Sequence, residues 1–458
     1  MPQPSWIADA IFYQIFPDRF ANNDPSVNPP QVEPWNSIPT PNNFLGGDIR
    51  GIINHLPYLS DLGINAIYLN PIFAADTNHR YDANDYFKID PHLGSEQDFD
   101  ELIKAAHALE MRIILDGVFN HCGNGHYAFR DVMANGDQSA YVNWFFIEDF
   151  PVRSDSAEFN YKTCTDCYYL PKWNVYNPEV KKHHFDVARH WLDKGIDGWR
   201  LDVPYFVNKR FWHEFNQVVK SYGDDKYLVA EDWRNPNHWL KDGLMDGVMN
   251  YTLRDLVLAF TAGEFVDAYQ FADGMNKLTN EMPLAHRKSM LNLIGSHDTE
   301  RVLTHLRHKT EKVIQAFALM YGAEGAPMLY YGDENGMAGD NDPGCRAGMQ
   351  WKQSDWNTKI HSSAAGLIKA RKTSEILRKG DQKITALDTD TVMIQRWMED
   401  QGAVTIVHRG KGCNIATNNI PLKSPKAIFG TPSIIGNSYR LDSEHPLMLE
   451  GEINSEIW

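Results

Sequence analysis

Eight apolar runs along the chain have the length and composition of buried β-strands, and helical patterns separate them. The runs carry few charges and are rich in branched and aromatic residues, which is typical of parallel strands covered on both faces. They lie at 10–16, 64–69, 112–119, 195–202, 227–231, 247–251, 290–295 and 327–332. Eight strands alternating with helices predict an α/β fold, a (β/α)8 TIM barrel.

Helical spacing of apolar positions is clearest in four of the intervening segments. They lie at 48–63, 95–110, 177–195 and 299–322, and Ser95 has the position of an N-cap. The main alternative fold is a doubly wound open sheet, which usually has fewer units and a glycine-rich phosphate loop. No G-x-G-x-x-G motif follows the first run, so the barrel is favoured.

Two stretches depart from the regular alternation. Residues 122–172 are too many for a βα loop and predict a small inserted domain. From residue 382 onward, "KITALDTDTVMIQRW" and "GAVTIVHRG" alternate with the period of antiparallel strands. The sequence therefore predicts a catalytic barrel over 1–121 and 173–381 and a C-terminal β-sandwich domain over 382–458.

Composition narrows the class of protein. The formal net charge of -16 argues against binding to nucleic acid or anionic membrane surfaces. The segment "MPQPSWIADA" has no signal-peptide pattern, and no run of about 18 apolar residues occurs, so we expect a cytoplasmic protein. Five cysteines are too few and uneven for a disulfide framework. "CTDC" (164–167) has the spacing of half a zinc site, but no second Cys/His pair lies nearby and an ordinary loop is favoured.

Candidate chemistry collects at the carboxyl ends of the predicted strands, where functional groups of such barrels lie. These positions hold Asn120, His121, Arg200, Asp202, Glu231, His297 and Asp298. Arg200 and Asp202 are two apart on a strand and therefore face the same side. Because a buried ion pair adds little stability, the pair indicates a functional role.

Carboxylates without a metal-binding cluster favour acid/base and nucleophilic chemistry, as in glycoside hydrolysis. Neighbouring charges and a dry site would keep one carboxyl group protonated near neutrality, and Arg200 would keep Asp202 ionised. A phosphosugar or nucleotide enzyme would need basic groups near the last two strands. Arg301 and Arg346 are present there, but the carboxylates account for more of the pattern.

Four motifs resemble, in order, the main sequence regions of the α-amylase family, glycoside hydrolase family 13. They are "DGVFNH" (116–121), "GWRLDV" (198–203), "VAEDW" (229–233) and "GSHDTERVLT" (295–304). "LPKWN", "NHRYDANDYFKIDPHLG" and "YGDENGMAGDNDPGCR" are similar to segments of the cyclomaltodextrinase, neopullulanase and maltogenic amylase group. That group usually has an N-terminal β-domain, whereas this sequence enters the first predicted strand almost at once.

The resemblance implies a role for each matching residue. Asp202 corresponds to the nucleophile, Glu231 to the general acid/base and Asp298 to the carboxylate that stabilises the transition state. The implied substrate-binding residues are Tyr81, which stacks under the sugar, His121, Arg200 and His297, which bond its hydroxyls, and Asp342 and Arg346, which recognise the non-reducing side. Asp116 is interpreted as a structural brace of its strand.

The implied function is a retaining α-glucan hydrolase that cleaves α-1,4 bonds, and some α-1,6 bonds, in cyclodextrins, maltooligosaccharides and pullulan. The alternatives are a transglycosylating or exo-acting α-glucosidase on the same triad and, more remotely, a non-catalytic glycan-binding relative. "VPYF" (203–206) stands where the group often has V-A-N-E, and Trp173 replaces a leucine. Trp173 is either a stacking platform or a core residue of the inserted domain. We expect a homodimer.

Calcium is the expected cofactor. "NNDPSVN" (22–28) and "GGD" (46–48) resemble a calcium loop of the group, and the implied ligands are Asn22, Asp24, Asn28, Gly46 and Asp48. Clustered short oxygen ligands suit this hard cation. Val27 occupies one expected ligand position, so a plain polar loop is the alternative.

Overall fold

The computed structural model describes residues 3–263 and 265–456, and these residues form twenty strands. In chain order the strands are β1 (Phe12–Ile15), β2 (Ala66–Leu69), β3 (Phe73–Ala75), β4 (Ala83–Ile89), β5 (Arg112–Gly117), β6 (Thr163–Cys164), β7 (Cys167–Pro171), β8 (Gly198–Leu201), β9 (Tyr227–Ala230), β10 (Gly247–Val248), β11 (Leu291–Leu293), β12 (Ala326–Tyr330), β13 (Asp381–Asp388), β14 (Thr391–Met398), β15 (Gln401–His408), β16 (Cys413–Ala416), β17 (Leu422–Phe429), β18 (Ser433–Ile435), β19 (Ser438–Leu441) and β20 (Leu447–Ile453).

Eight of these strands form one parallel sheet in the order β10-β9-β8-β5-β2-β1-β12-β11. A parallel bridge between Met249 and Leu291 joins the two outer strands and closes the barrel. Each strand corresponds to one of the eight predicted apolar runs, and the barrel prediction is confirmed. Apart from Arg112 at the start of β5, their residues are buried because helices cover the outside while side chains fill the inside.

The helices mostly follow the predicted spacing. They are α1 (Pro17–Phe20), α2 (Ile49–Leu62), α3 (Glu96–Ala108), α4 (Tyr127–Asn135), α5 (Pro178–Asp193), α6 (Lys209–Lys220), α7 (Asn237–Leu240), α8 (Tyr251–Ala262), α9 (Ala268–Glu281), α10 (Leu284–Arg287), α11 (Val302–His305), α12 (Thr310–Gly322), α13 (Thr358–Thr373) and α14 (Glu375–Lys379). Ser95 caps α3 in a reciprocal capping box with Asp98. The single helix predicted over 299–322 is wrong. Arg307 and His308 have positive φ angles (54° and 58°), which end α11 and separate it from α12.

Outside the barrel, the stretch 122–172 contains α4 and the short hairpin β6–β7. Trp173 follows that hairpin and is buried, with its ring stacked on Phe145 at a centroid distance of 4.9 Å, so it is a core residue and not a free stacking platform. The C-terminal region forms two antiparallel sheets, β13-β14-β15-β20-β17 and β16-β19-β18, as its alternating pattern predicted. Among the described residues, no helix combines the length and the hydropathy needed to cross a bilayer.

Candidate active site

A single buried guanidinium organises the mouth of the barrel. Arg200, near the end of β8, is 1% exposed and bonds carboxylates from three adjacent strand ends. Its Nη1 lies 2.8 Å from Asp116 Oδ1 and 3.1 Å from Asp202 Oδ1, and its Nη2 lies 2.9 Å from Glu231 Oε2. The parallel register places β5, β8 and β9 side by side, which is why these three acids converge. The strand-spacing argument paired Arg200 with Asp202, and the resemblance implied contacts between Arg200 and the catalytic triad, but the bond to Asp116 was not predicted.

Asp116 connects this cluster to the rings on its other side. Its Oδ2 accepts hydrogen bonds from the hydroxyls of Tyr68 at 2.6 Å and Tyr81 at 2.8 Å. The carboxylate also accepts both bonds from Arg200 Nη1. With every oxygen engaged and the side chain buried, Asp116 fixes the orientation of Arg200 and Tyr81, in agreement with its interpretation as a brace.

Three donors orient the carboxyl group of Glu231. Besides Arg200, the backbone N–H of Val203 donates to Oε2 at 3.1 Å, and Trp233 Nε1 donates to Oε1 at 3.0 Å. Val203 has a φ of 34°, which is unfavourable for a β-branched residue. Such backbone strain is found where the surrounding structure requires one orientation, and here it aims the N–H at Glu231. Sequence reasoning missed both donors.

His297 and Tyr81 form the opposite wall of the site. Gln14 Nε2 donates to His297 Nδ1 at 2.8 Å, so the ring proton lies on Nε2. That nitrogen is 2.5 Å from the Tyr81 hydroxyl and 3.3 Å from Asp298 Oδ1. The two rings are nearly parallel, with 7° between their planes. Burial lowers the pKa of His297 well below its usual value, so the ring is neutral.

The segment after β12 reaches the same site through Arg346. Its Nη1 is 2.9 Å from Asp342 Oδ1, its Nη2 is 3.5 Å from Asp298 Oδ1, and its Nε donates to the His297 carbonyl at 2.9 Å. The predicted pair Asp342 and Arg346 is therefore in contact, and Arg346 links it to His297 and Asp298 on the segment after β11.

Burial and the charge of Arg200 act on the pKa of Asp202 in opposite directions. Burial raises the pKa of Asp202 well above its usual value, and the opposing pull of Arg200 does not cancel this effect. Burial, followed by the charge of Glu231, raises the pKa of Asp298 to about 7. Because one guanidinium is shared among several carboxyl groups, burial raises the pKa values of both Asp202 and Asp298 despite Arg200.

His121 supplies a neutral donor beside the cluster. Asn120 Nδ2 donates to its Nδ1 at 3.2 Å, which leaves the proton on Nε2. Burial lowers the pKa of His121 to about 3. The Nε2 atom is buried and has no hydrogen-bond partner among the described residues. An unpaired buried donor is costly, and a sugar hydroxyl would satisfy it.

Aromatic side chains on the segments that follow Asp202 and Glu231 remain partly exposed. Trp233 is 41% exposed and stacks on Tyr251 with the ring centroids 3.7 Å apart. Phe206 is 43% exposed, and Lys172 Nζ donates to its carbonyl at 2.8 Å. Tyr205 packs against the Arg234 guanidinium at 4.7 Å. The only sequence signal for Trp233 was a large aromatic residue two positions after Glu231.

The residues of the expected calcium loop lie together in the structure. Asn22 Nδ2 donates to Asn28 Oδ1 at 2.9 Å, while Asn22 Oδ1 is buried without a hydrogen-bond partner among the described residues. A side chain at Gly46, where φ is 77°, would come within 2.4 Å of Asn28 Oδ1. Asp48 Oδ2 accepts the backbone N–H of Asp24 at 2.7 Å. An unpaired amide oxygen among carboxylates is a donor set that fits a hard cation.

Comparison with known proteins places these observations in a family. The family described as "Alpha amylase, catalytic domain" matches residues 14–375. A cyclomaltodextrinase from Geobacillus thermopakistaniensis is 44% identical over 84% of this chain and 66% of its own length. Neopullulanase 2 from Thermoactinomyces vulgaris is 42% identical over 89% of this chain and 71% of its own length. The chain thus spans about two thirds of these relatives.

One solved structure matches over its entire length. The cyclic α-maltosyl-(1→6)-maltose hydrolase of Arthrobacter globiformis, in complex with cyclic α-maltosyl-(1→6)-maltose, is 51% identical with a TM-score of 0.94. The alignment covers 98% of this chain and 100% of that protein.

Proposed function

The chain belongs to the α-amylase family, and from that premise we propose that it is a retaining hydrolase of α-1,4-glucosidic bonds in small cyclic and linear α-glucans. The observation that carries the proposal is the single guanidinium of Arg200, which holds Asp202 and Glu231 side by side at the barrel mouth. Glycoside hydrolysis with retention requires two carboxyl groups in such proximity.

In the proposed reaction, an oxygen of Asp202 attacks the anomeric carbon while Glu231 gives its proton to the departing glycosidic oxygen. The covalent glucosyl intermediate is then hydrolysed by a water molecule that Glu231 deprotonates. Both carboxyl groups bond to terminal nitrogens of one guanidinium, which supports the separation of about 5–5.5 Å found in retaining enzymes and not the wider gap of inverting ones.

The surrounding residues have positioning and binding roles in this proposal. Tyr81 stacks under the reacting sugar, and the Nε2–H groups of His121 and His297 donate to its hydroxyls. Asp298, whose pKa is raised to about 7, donates or accepts a hydrogen bond according to its protonation state. Asp342 and Arg346 bind the non-reducing side next to it.

The preferred substrate class is inferred from sequence similarity. The Arthrobacter hydrolase is 51% identical to this chain, whereas the cyclomaltodextrinase of Geobacillus thermopakistaniensis is 44% identical. We therefore expect cyclic α-maltosyl-(1→6)-maltose and cyclodextrins to be cleaved faster than soluble starch.

Product analysis tests this proposal. Purified protein is incubated separately with cyclic α-maltosyl-(1→6)-maltose, β-cyclodextrin, pullulan and soluble starch, and the products are separated over time. Ring opening followed by release of maltose and glucose is expected, with retained α-configuration seen by NMR in the first products. Starch digestion faster than ring opening would contradict the substrate class, and a β-configured first product would contradict the mechanism.

We also propose that Asn22, Asp24, Asn28, Gly46 and Asp48 bind calcium as a structural ion. The ion would hold the loop after β1 against the start of α2, since Asp48 is the N-cap of that helix. Binding to the folded state alone raises stability with ligand concentration. We expect the melting temperature to fall after EDTA treatment and to recover with Ca²⁺. An Asn22→Ala variant that responds like the wild type would contradict this site.

We also propose a cellular compartment and an oligomeric state for the protein. All five cysteines are free, which is typical of the reducing cytoplasm, and we propose that the protein is located there. We propose a homodimer, which light scattering on the purified protein would detect or refute.

A further inference from the structure

The two cysteines of "CTDC" face each other across a tight hairpin. Cys164 ends β6, Cys167 begins β7, and the two are direct partners in the antiparallel register. The intervening Thr165 and Asp166 have φ angles of 48° and 58°, the left-handed pair of a two-residue type I′ turn. Directly paired residues beside such a turn have Cα atoms about 5.5 Å apart. That spacing is the one at which disulfides most often form, about 5.5–6 Å.

The exposures of the two thiols are complementary. Cys167 is half-buried, so a small oxidant reaches it, whereas Cys164 is 5% exposed. Burial raises the pKa of the Cys164 thiol to about 12, and the charge of Asp202 acts in the same direction. An accessible thiol next to a sheltered partner is the arrangement in which one sulfur reacts first and the other resolves the product.

The hairpin forms part of the wall of the candidate active site. Strand β7 continues into Lys172, which bridges to His121, and the backbone N–H of Cys122 donates to the Pro171 carbonyl at 3.1 Å. Lys172 Nζ also donates to the Phe206 carbonyl at 2.8 Å, which ties the hairpin to the segment that follows Asp202. Movement of the hairpin therefore reaches the residues that would hold the sugar.

We propose that Cys164 and Cys167 are a reversible redox modification site, which forms an intramolecular disulfide with peroxide and restrains this wall of the cleft. The Cys167 thiolate attacks one peroxide oxygen, and hydroxide leaves, which gives a sulfenic acid. The Cys164 sulfur then attacks the Cys167 sulfur, and the hydroxyl leaves as water with the thiol proton. Two sulfurs are oxidised and one hydrogen peroxide is reduced to two waters. A ring that spans only four residues gains little chain-entropy stabilisation, so cellular thiols would reduce it readily.

Thiol counting on the full chain tests the site without any assay of activity. After treatment with hydrogen peroxide and quenching, reactive thiols in the denatured protein should fall from five to three. Peptide mapping should show residues 164 and 167 linked with the loss of two hydrogen atoms, and dithiothreitol should restore five thiols. Five remaining thiols, or a Cys167 oxidised without a bond to Cys164, would overturn the proposal.

Two variants control this measurement. Cys167→Ser should retain all four of its thiols under the same treatment, because the accessible sulfur is gone. Cys413→Ser removes a half-buried cysteine of β16, and this variant should still lose two thiols. Disulfide formation in Cys167→Ser, or its absence in Cys413→Ser, would assign the oxidation to other residues.

The effect on the cleft rests on the proposed function. We expect kcat/KM for β-cyclodextrin to fall about two- to fivefold on oxidation, since small displacements of binding groups slow an oriented reaction. Dithiothreitol should reverse the loss in the wild type, and Cys167→Ser should be insensitive. Unchanged kinetics in fully oxidised protein would overturn the restraint of the cleft. A reduced protein without activity would instead refute the proposed function, whatever its thiol count.

Discussion

The barrel mouth and the contact between the barrel and the C-terminal sheets both bury arginines, but they compensate the charge in different ways. Arg200 at the mouth bonds three carboxylates. Burial acts to lower its pKa, but neighbouring charges, that of Asp116 first among them, raise the pKa well above its usual value. Arg371 and Arg396 at the contact are 0% exposed and bond backbone carbonyls instead. Burial lowers the pKa of these two to about 9 and about 10.

The carbonyls around the second pair come from helix ends and turns. Arg371 donates to the carbonyls of Tyr321 and Ala323 at the C-terminal end of α12. Arg396 of β14 donates to those of Leu377 and Gly380 at the C-terminal end of α14. These oxygens would otherwise be unsatisfied at the ends of helices. Carbonyl dipoles are therefore sufficient to stabilise a buried structural arginine. At the barrel mouth, three carboxylates surround one guanidinium, and this surplus of acidic groups indicates a catalytic role.

Removing a carboxylate at the mouth should have the largest effect, and on activity alone. Asp202→Asn deletes the proposed nucleophile but leaves Arg200 with Asp116 and Glu231. We expect kcat/KM on β-cyclodextrin to fall about ten-thousandfold or more, as for other covalent nucleophiles. The free energy of unfolding in urea should not fall, because a repulsive neighbour is removed. A variant with most of its activity would refute the assignment.

Removing an arginine at the contact should have the opposite result. Arg396→Met leaves three buried carbonyl groups without a donor, and we expect the free energy of unfolding to fall by about 2–4 kcal/mol. The kcat of the folded protein should be unchanged. Arg440→Met is the matched control, since Arg440 is exposed on β19, and it should change stability by less than about 0.5 kcal/mol. Equal losses in the two variants would contradict the structural role.

The same contrast shows what the sequence could predict. Continuous apolar runs identified all eight barrel strands, and the position of polar residues at strand ends identified Arg200 and Asp202. Arg396 could not be found, because a charged residue in an alternating strand normally faces water, and β14 is covered on both of its faces. The left-handed turn at Val203 was also hidden, since the hydrogen bond to Glu231 that requires it joins residues 28 apart.

A smaller effect should follow from removing one hydrogen bond to Glu231 while all charged residues of the barrel mouth stay in place. Trp233→Phe removes the Nε1–H bond to Glu231 but keeps an aromatic ring against Tyr251. We expect kcat to fall about five- to tenfold, the cost of one ordinary hydrogen bond, while KM changes less than about twofold. Trp356→Phe also removes an indole donor, to the Gln350 carbonyl, and should leave both constants unchanged. A rise in KM alone would make Trp233 a binding residue instead.

The mouth should also make stability depend on pH in a way that the carbonyl-bound arginines do not. The pKa of Asp298 is raised to about 7, above the 3.8 of an unperturbed aspartate. Between about pH 4 and pH 7 the unfolded chain has released a proton that the folded protein still holds, so the free energy of unfolding falls as the pH rises. Asp298→Asn does not titrate and should lose this part of the slope, which we expect to be about 2–3 kcal/mol between about pH 5 and pH 7.5. Urea unfolding of both proteins at the two pH values measures the difference, with the exposed Asp137→Asn as a control that should follow the wild type. If Asp298→Asn kept the full slope of the wild type, the proton that the folded protein retains would reside on another carboxyl group of the cluster.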